Sequence, residues 1–281
     1  MTTSSVLIPA PAATASTPRY SLLLSTRPDD IEAAQRLRHD VFRAEPGFSD
    51  TIGEDGRDAD EFDAHCDHLL VRDEHTDRII GCYRMLPSAT ASSIGGFYTA
   101  TEFALEGFEE ILPSTVEMGR ACVHPDHRNG AVLSIMWSGI LRYLQHTGNE
   151  WVLGCVSVPT LPAPGDVPGA NVRAVRDHVL ARHRAPGHMI ARPYEPVVLG
   201  GATLDEIAPP AKADIPPLLR GYLRLGAWIC GEPAHDPSFG VADFVTVLGV
   251  RHANARYLAR LASASAPVPA PTAARNGSEA R

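Results

Sequence analysis

The stretch TVEMGRACVHPDHRNGAVLSIMWSGILRYLQ, Thr115 to Gln145, changes its hydrophobic period once. Val116, Met118, Ala121, Cys122 and Val123 suit a half-buried strand, whereas His124 to Gly130 is a polar turn. Beyond it Leu133, Met136, Ile140 and Leu144 recur at helical spacing. A strand that passes through a short turn into an amphipathic helix buries both apolar faces when the helix lies on a sheet, which points to an α/β architecture.

The rest of the chain repeats that alternation. Tyr20 to Ser25 reads as a strand, and a helix capped by Asp29 or Asp30 runs to about Ala44. HLLVRD and RIIGCYRMLP form a hairpin across EHTD, and GGFYTATEFAL reads as a short helix. WVLGCVSV is a continuous apolar strand buried on both faces, and Asn171 to His183 is a helix. Asp214 and Pro216 open a helix expected to run through Cys230 and close at Gly231, and FGVADFVTVLGV is the last strand. The expected fold is a mixed α/β sheet, antiparallel in its N-terminal half, with helices on both faces. Residues 1–18 and 262–281, rich in Ala, Ser, Thr and Pro, are expected to be disordered tails around one domain spanning 19–261.

A net charge of −8 argues against a nucleic-acid partner. Five scattered cysteines without a CxxC pair suit reduced thiols in a cytoplasmic protein. The first residues lack a basic n-region, and no apolar run is long enough to span a membrane. His124 and His127 lack a third ligand, so no metal site is expected. GxSxG, Walker and GxGxxG signatures are missing.

Several charged residues stand in apolar company. Arg38 borders the stripe of the first helix, with Phe42 and Glu45 further along its side, and Arg84 lies late in its strand. Glu117 and Arg120 are three apart, so a regular pleat sends them to opposite faces and a bulge would bring them to one. With Asp60, Glu61 and Asp63 on the acidic loop, two readings stand. One is a structural ion-pair network with a solvated loop; the other is a site for a charged substrate, with the acids gripping an ammonium. The HRNGA turn at a helix N-terminus offers backbone donors to an anion.

VHPDHRNGA resembles, in degenerate form, the pyrophosphate-binding turn of the GNAT acyltransferases. RHDVFRAE, DADEFD, CYRMLP and EMGRACV fall in the order of motifs in acyl-homoserine lactone synthases, a branch of that fold. The chain is more similar still to the bacterial ornithine lipid N-acyltransferases, also called hemolysin-like GNAT proteins. HPDHRNGAVLSIMWSGILRYL, WVLGCVSV and IPPLLRGYLRLGAWICGEPAHDPSFGVADF carry that likeness. The resemblance implies a GNAT fold and transfer of a fatty, often 3-hydroxylated, acyl group from acyl-carrier protein to the α-amine of ornithine, giving lyso-ornithine lipid. It implies no permanently bound cofactor; the phosphopantetheine thioester, or acyl-CoA, is a co-substrate.

It also assigns roles. Glu117 becomes the general base and Arg120 an anchor for substrate or thioester. Arg38, Phe42, Asp60, Asp63 and Arg84 shape the acceptor and acyl pockets, with ornithine or a related amino acid as acceptor. Val123, Arg128, Asn129 and Gly130 line the phosphopantetheine arm. Backbone N–H groups near Ala121 to Val123 would hold the oxyanion. Arg173, Arg176, Arg182, His183 and Arg184 either dock the acidic carrier protein or form a solvated helix face. An amphiphilic product suggests peripheral contact with the inner membrane face. The competing readings are acyl-CoA-dependent transfer to another amine, and a non-catalytic carrier- or lipid-binding module.

Overall fold

The computed structural model describes residues 3–11, 19–45, 55–161 and 165–263. It begins with β1 (Ser4–Ile8), β2 (Tyr20–Ser25), α1 (Pro28–Ala44), β3 (Asp67–Asp73) and β4 (Arg78–Pro87). Next come α2 (Ser88–Ser93), α3 (Thr99–Glu102), β5 (Phe103–Glu106), β6 (Thr115–Val123), α4 (Gly130–Thr147) and β7 (Trp151–Pro159). Then follow α5 (Ala170–Arg182), β8 (Ile190–Pro193), the two-residue strands β9 (Val198–Leu199) and β10 (Ala202–Thr203), and α6 (Pro217–Leu225). The chain finishes with β11 (Trp228–Ile229), β12 (Ala234–Asp236), β13 (Val241–Gly249) and α7 (Ala255–Ser263).

The main sheet runs β1-β2-β3-β4-β6-β7-β13-β11, with β12 also paired to β13. Its neighbours are antiparallel except β6 and β7, which are parallel. Strand alternation assigns the faces. Leu69 and Val71 join α4 residues Ile135, Met136 and Ile140 in one core, and Leu70 joins Leu37 and Val41 of α1 in another on the opposite face. The mixed sheet with helices on both faces is as the sequence implied.

Several elements differ from expectation. Ser4–Ile8 is an edge strand on β2, with Ile8 buried, rather than part of a disordered tail. The apolar run Val6–Ile8 is diluted by its neighbours in composition, yet it is enough to pair an otherwise open edge. GGFYTATEFAL divides into helix α3 and strand β5, which pairs with β8. The helix expected to reach Cys230 ends at Leu225, because Gly226 takes φ 93° as a left-handed cap. Trp228 and Ile229 then pair with Val247 and Thr246. Helix α7 reaches beyond residue 261; residues 264–281, like 1–2 and 12–18, lie outside those described. Among the described residues, no helix is long and apolar enough to cross a membrane.

Candidate active site

Strands β6 and β7 pair only from Thr115↔Trp151 to Glu117↔Leu153, and then part. β6 keeps its pairing to β4 as far as Val123, and β7 keeps its pairing to β13. Past the fork opens a cavity of about 800 Å³ whose walls include Glu117 to Val123 on one strand and Cys155 to Ser157 on the other. Gly154 stands just past the last pair, where an added Cβ would lie 2.3 Å from the Met118 carbonyl oxygen. Only a residue without a side chain lets the strands meet so closely before they diverge.

The bulge that the charge pattern required is present. Cys82 faces Cys122 and Arg84 faces Gly119, so Arg120 and Ala121 together oppose Tyr83. Arg120 carries the bulge at φ 51°, a conformation that costs a non-glycine residue about 1 kcal/mol. Glu117 and Arg120 now lie on the same side, both against Tyr98. The Tyr98 N–H donates to Glu117 at 2.7 Å, and the Arg120 guanidinium sits 5.2 Å from the Tyr98 ring centroid and 5.1 Å from that of Phe239.

Glu117 is held from one direction by the turn into α3. Its Oε1 accepts from the Thr99 N–H and hydroxyl, each at 2.6 Å, and among the described residues its Oε2 accepts from Tyr98 alone. Burial pushes its pKa up, against the opposing donors of Thr99 and Tyr98 and the charge of Arg84. A carboxylate fixed in place, with a lone pair left on Oε2 and a raised pKa, is equipped to take a proton.

The arginines have internal partners. Arg38, 1% exposed, contacts Asp58 at 2.8 Å without hydrogen-bond alignment and Asp63 at 2.7 Å. Arg84 reaches Asp60 at 2.5 Å and Asp63 at 3.3 Å, and Arg120 reaches Asp58 at 3.3 Å and Asp60 at 3.2 Å. Three arginines thus meet three aspartates. Burial opposes the Asp63 charge, but the hydrogen bond and charge of Arg38, with Arg84, hold its carboxyl well below the usual carboxylate range. Phe42, Arg84 and Arg120 line the cavity, while Arg38 and Asp63 stand behind the wall and tie the acidic loop to α1. Asp58 completes the network, and Glu61 of the predicted acidic cluster is exposed outside it.

The turn before α4 also reaches the cavity through Val123, Arg128, Asn129 and Gly130. Two of its helix-terminal donors are already used: Asn129 Oδ1 accepts from Ala131 and Val132 at 3.0 and 3.1 Å. Arg128 donates to the Val123 carbonyl at 3.1 Å and pairs with Glu45. Of the residues read as a carrier-docking or solvated face around α5, Arg173 and Arg176 are paired with acids, whereas Arg182 meets His178 and Arg184 the Leu180 carbonyl. Arg176, 8% exposed, pairs with Asp177, Asp205 and Glu232, and Arg173 with Asp177 and Asp205.

Sequence reasoning passed over the acids on the far wall. Asp243, 5% exposed on β13, accepts from Ser157 Oγ at 2.6 Å. With Glu102 and Asp236 it forms a group whose carboxylate oxygens lie within 4.8 Å of one another. Burial and the charge of Glu102 push Asp243 up to about 7, against the Ser157 hydrogen bond. Burial likewise raises Glu102, the Tyr98 hydrogen bond opposing and the charge of Asp236 adding to it. A signal was available: Asp243 stands in the apolar run GVADFVTVLG as Glu117 stands in its own. Tyr98 and Thr99, which act partly through backbone N–H groups, left none.

A family profile described as Acetyltransferase (GNAT) domain matches residues 37–138. Over 240 residues the chain is 34% identical to the L-ornithine N(alpha)-acyltransferase of Rhizobium meliloti, covering 82% of this chain and 79% of that protein. It is 33% identical to the L-ornithine N(alpha)-acyltransferase of Brucella abortus, covering 81% of this chain and 83% of that one. The solved structure of BjaI, a CoA-dependent acyl-homoserine lactone synthase, with MTA, superposes with a TM-score of 0.46 at 16% identity, covering 85% of this chain and 82% of that chain.

Proposed function

The chain belongs to the family of the L-ornithine N(alpha)-acyltransferases, and on that premise we propose that it moves a fatty acyl group from an acyl-carrier-protein thioester to the α-amine of ornithine, releasing lyso-ornithine lipid. It is an N-acyltransferase on a GNAT scaffold, which sets aside the non-catalytic reading. The observation that carries the proposal is Glu117, buried and oriented by three donors where β6 and β7 part.

The acceptor nitrogen attacks the thioester carbonyl carbon, so a C–N bond forms and the C–S bond breaks, the phosphopantetheine sulfur leaving as a thiol with the proton that the nitrogen sheds on becoming an amide. An ammonium has no lone pair for that attack. Glu117 removes the proton, directly or through a water, and its raised pKa suits that task near neutral pH. The oxyanion forms beside the β6 backbone past the bulge, where β7 no longer pairs with it. The phosphopantetheine arm lies along Val123 with its phosphate at the Arg128–Gly130 turn, competing with Glu45 for Arg128. Arg84, Arg120 and Phe42 line the acceptor and acyl pocket. Arg38, Asp60 and Asp63 act by fixing those arginines and the loop beneath them.

Purified protein supplied with long-chain acyl-carrier protein or acyl-CoA, and with ornithine or other amines, tests the reading. Transfer from acyl-carrier protein to the ornithine α-nitrogen is expected. Transfer only from short-chain acyl-CoA, or only to a different amine, would overturn it.

A further inference from the structure

The acid group of the cavity has no cation in ion-pair contact among the described residues, although the charge of Arg120, over the Tyr98 and Phe239 rings, acts on Glu102 and Asp243. Asp58, Asp60 and Asp63 take up Arg38, Arg84 and Arg120, and among the described residues no ion pair reaches Glu102, Asp236 or Asp243. The Glu102 Oε2 atom is buried without a hydrogen-bond partner, while its Oε1 takes the Tyr98 hydroxyl at 2.6 Å. Asp243 receives Ser157, and Asp236 Oδ1 receives the N–H groups of Ser238 and Phe239. Asp236 and Asp243 both open onto the cavity. Carboxylates gathered in a place of low polarity repel one another, and burial with that repulsion raises Asp243 and Glu102, outweighing the charge of Arg120 and the hydrogen bonds of Ser157 and Tyr98. A cation seated among them removes the conflict.

Tyr98 gives the spacing. Its N–H donates to Glu117 and its hydroxyl to Glu102, so the candidate base and the nearest member of the acid cluster stand one tyrosine residue apart. A diamino acid with its α-nitrogen at Glu117 would extend its side chain in that direction. Building on the function proposed above, we propose that Glu102, Asp236 and Asp243 form the subsite for the second, non-reacting ammonium of the acceptor, and thereby select diamino acids over monoamino acids. An acceptor without that ammonium leaves buried acceptors unpaired, which is the kind of mismatch enzymes reject most strongly.

The test compares kcat/KM for ornithine and for 2-aminopentanoate, which has the same carbon skeleton and no terminal amine, using one acyl-carrier-protein donor. The parent is expected to favour ornithine by about a hundredfold or more. Asp243→Asn should lower the ornithine-to-aminopentanoate ratio by about tenfold to a hundredfold, chiefly through the ornithine KM. If Asp243→Asn fails to fold, Asp236→Asn, half-buried at the same cluster, is read by the same ratio. An unchanged ratio in an enzyme active on ornithine overturns the subsite alone; a parent inactive on ornithine overturns the function as well. A preference for ornithine that vanishes with EDTA and returns with Mg2+ also overturns it, because the acids then hold a metal rather than substrate.

Discussion

Two buried acids on facing walls separate in character because their partners differ. Among the described residues Glu117 has three donors, whereas Asp243 has one donor and two carboxylate neighbours. The effect of Asp243 on stability follows from its sign. Its folded pKa of about 7 lies above the unfolded value near 3.9, so between those pH values the folded chain binds more protons. Its contribution is complete below about pH 4 and is lost as the pH rises through about 7. Urea titrations at stepped pH should therefore show Asp243→Asn gaining on the parent from pH 4 to pH 8; a constant gap would contradict the assignment. At this scale the charged residues Glu117, Arg120, Arg38 and Arg84 were legible because each interrupts an apolar pattern. Their partners were not: which acid meets which arginine is decided by how the loop from Asp58 to Asp63 folds back over α1 and β6. Asp243 carried the same signal as Glu117, but a charge in a strand does not announce what stands across from it.

At the scale of elements, the active cavity is the product of one interrupted strand pair. The β6 bulge turns Arg120 to the side of Glu117, and the narrow approach at Gly154 precedes the fork. Gly154→Ala puts a Cβ against the Met118 carbonyl, so the strands must shift at the point where Glu117 is set. Overpacking there should cost about 1–3 kcal/mol in urea unfolding and lower kcat more than KM. Unchanged stability and activity would show that the close approach is unimportant. Periodicity revealed most strands and the long helices, although only α1 buries one stripe; α4 is buried on all sides from Ser134 to Ile140, and Leu133 of its expected apolar face is exposed. It misjudged ends. The apolar run LGAWIC continues past Leu225, but Gly226 stops the helix and Trp228–Ile229 joins the sheet edge. β1 was missed for a related reason, as its pairing depends on an open edge of β2 that local composition does not reveal.

Across the whole molecule, the sheet is antiparallel on the side that holds the arginine network and parallel only where β6 meets β7. That change of direction, with α4 leaving the end of β6, places a turn, a fork and a bulge around one cavity. The family likeness extends over 240 residues, so the N-terminal half that supplies Glu117 and the C-terminal half that supplies Asp243 belong to one shared architecture. We propose Glu117 as the base for ornithine acylation in this cavity. Lipid mass spectrometry of cells expressing the parent protein beside Glu117→Gln tests it most directly. The parent should yield a new lyso-lipid whose fragments give ornithine joined to the fatty acid through its α-nitrogen. The variant, expressed and folded to the same level, should reduce that lipid by about a hundredfold or more, the scale of losing a general base. Equal amounts of the lipid from both proteins would contradict the account.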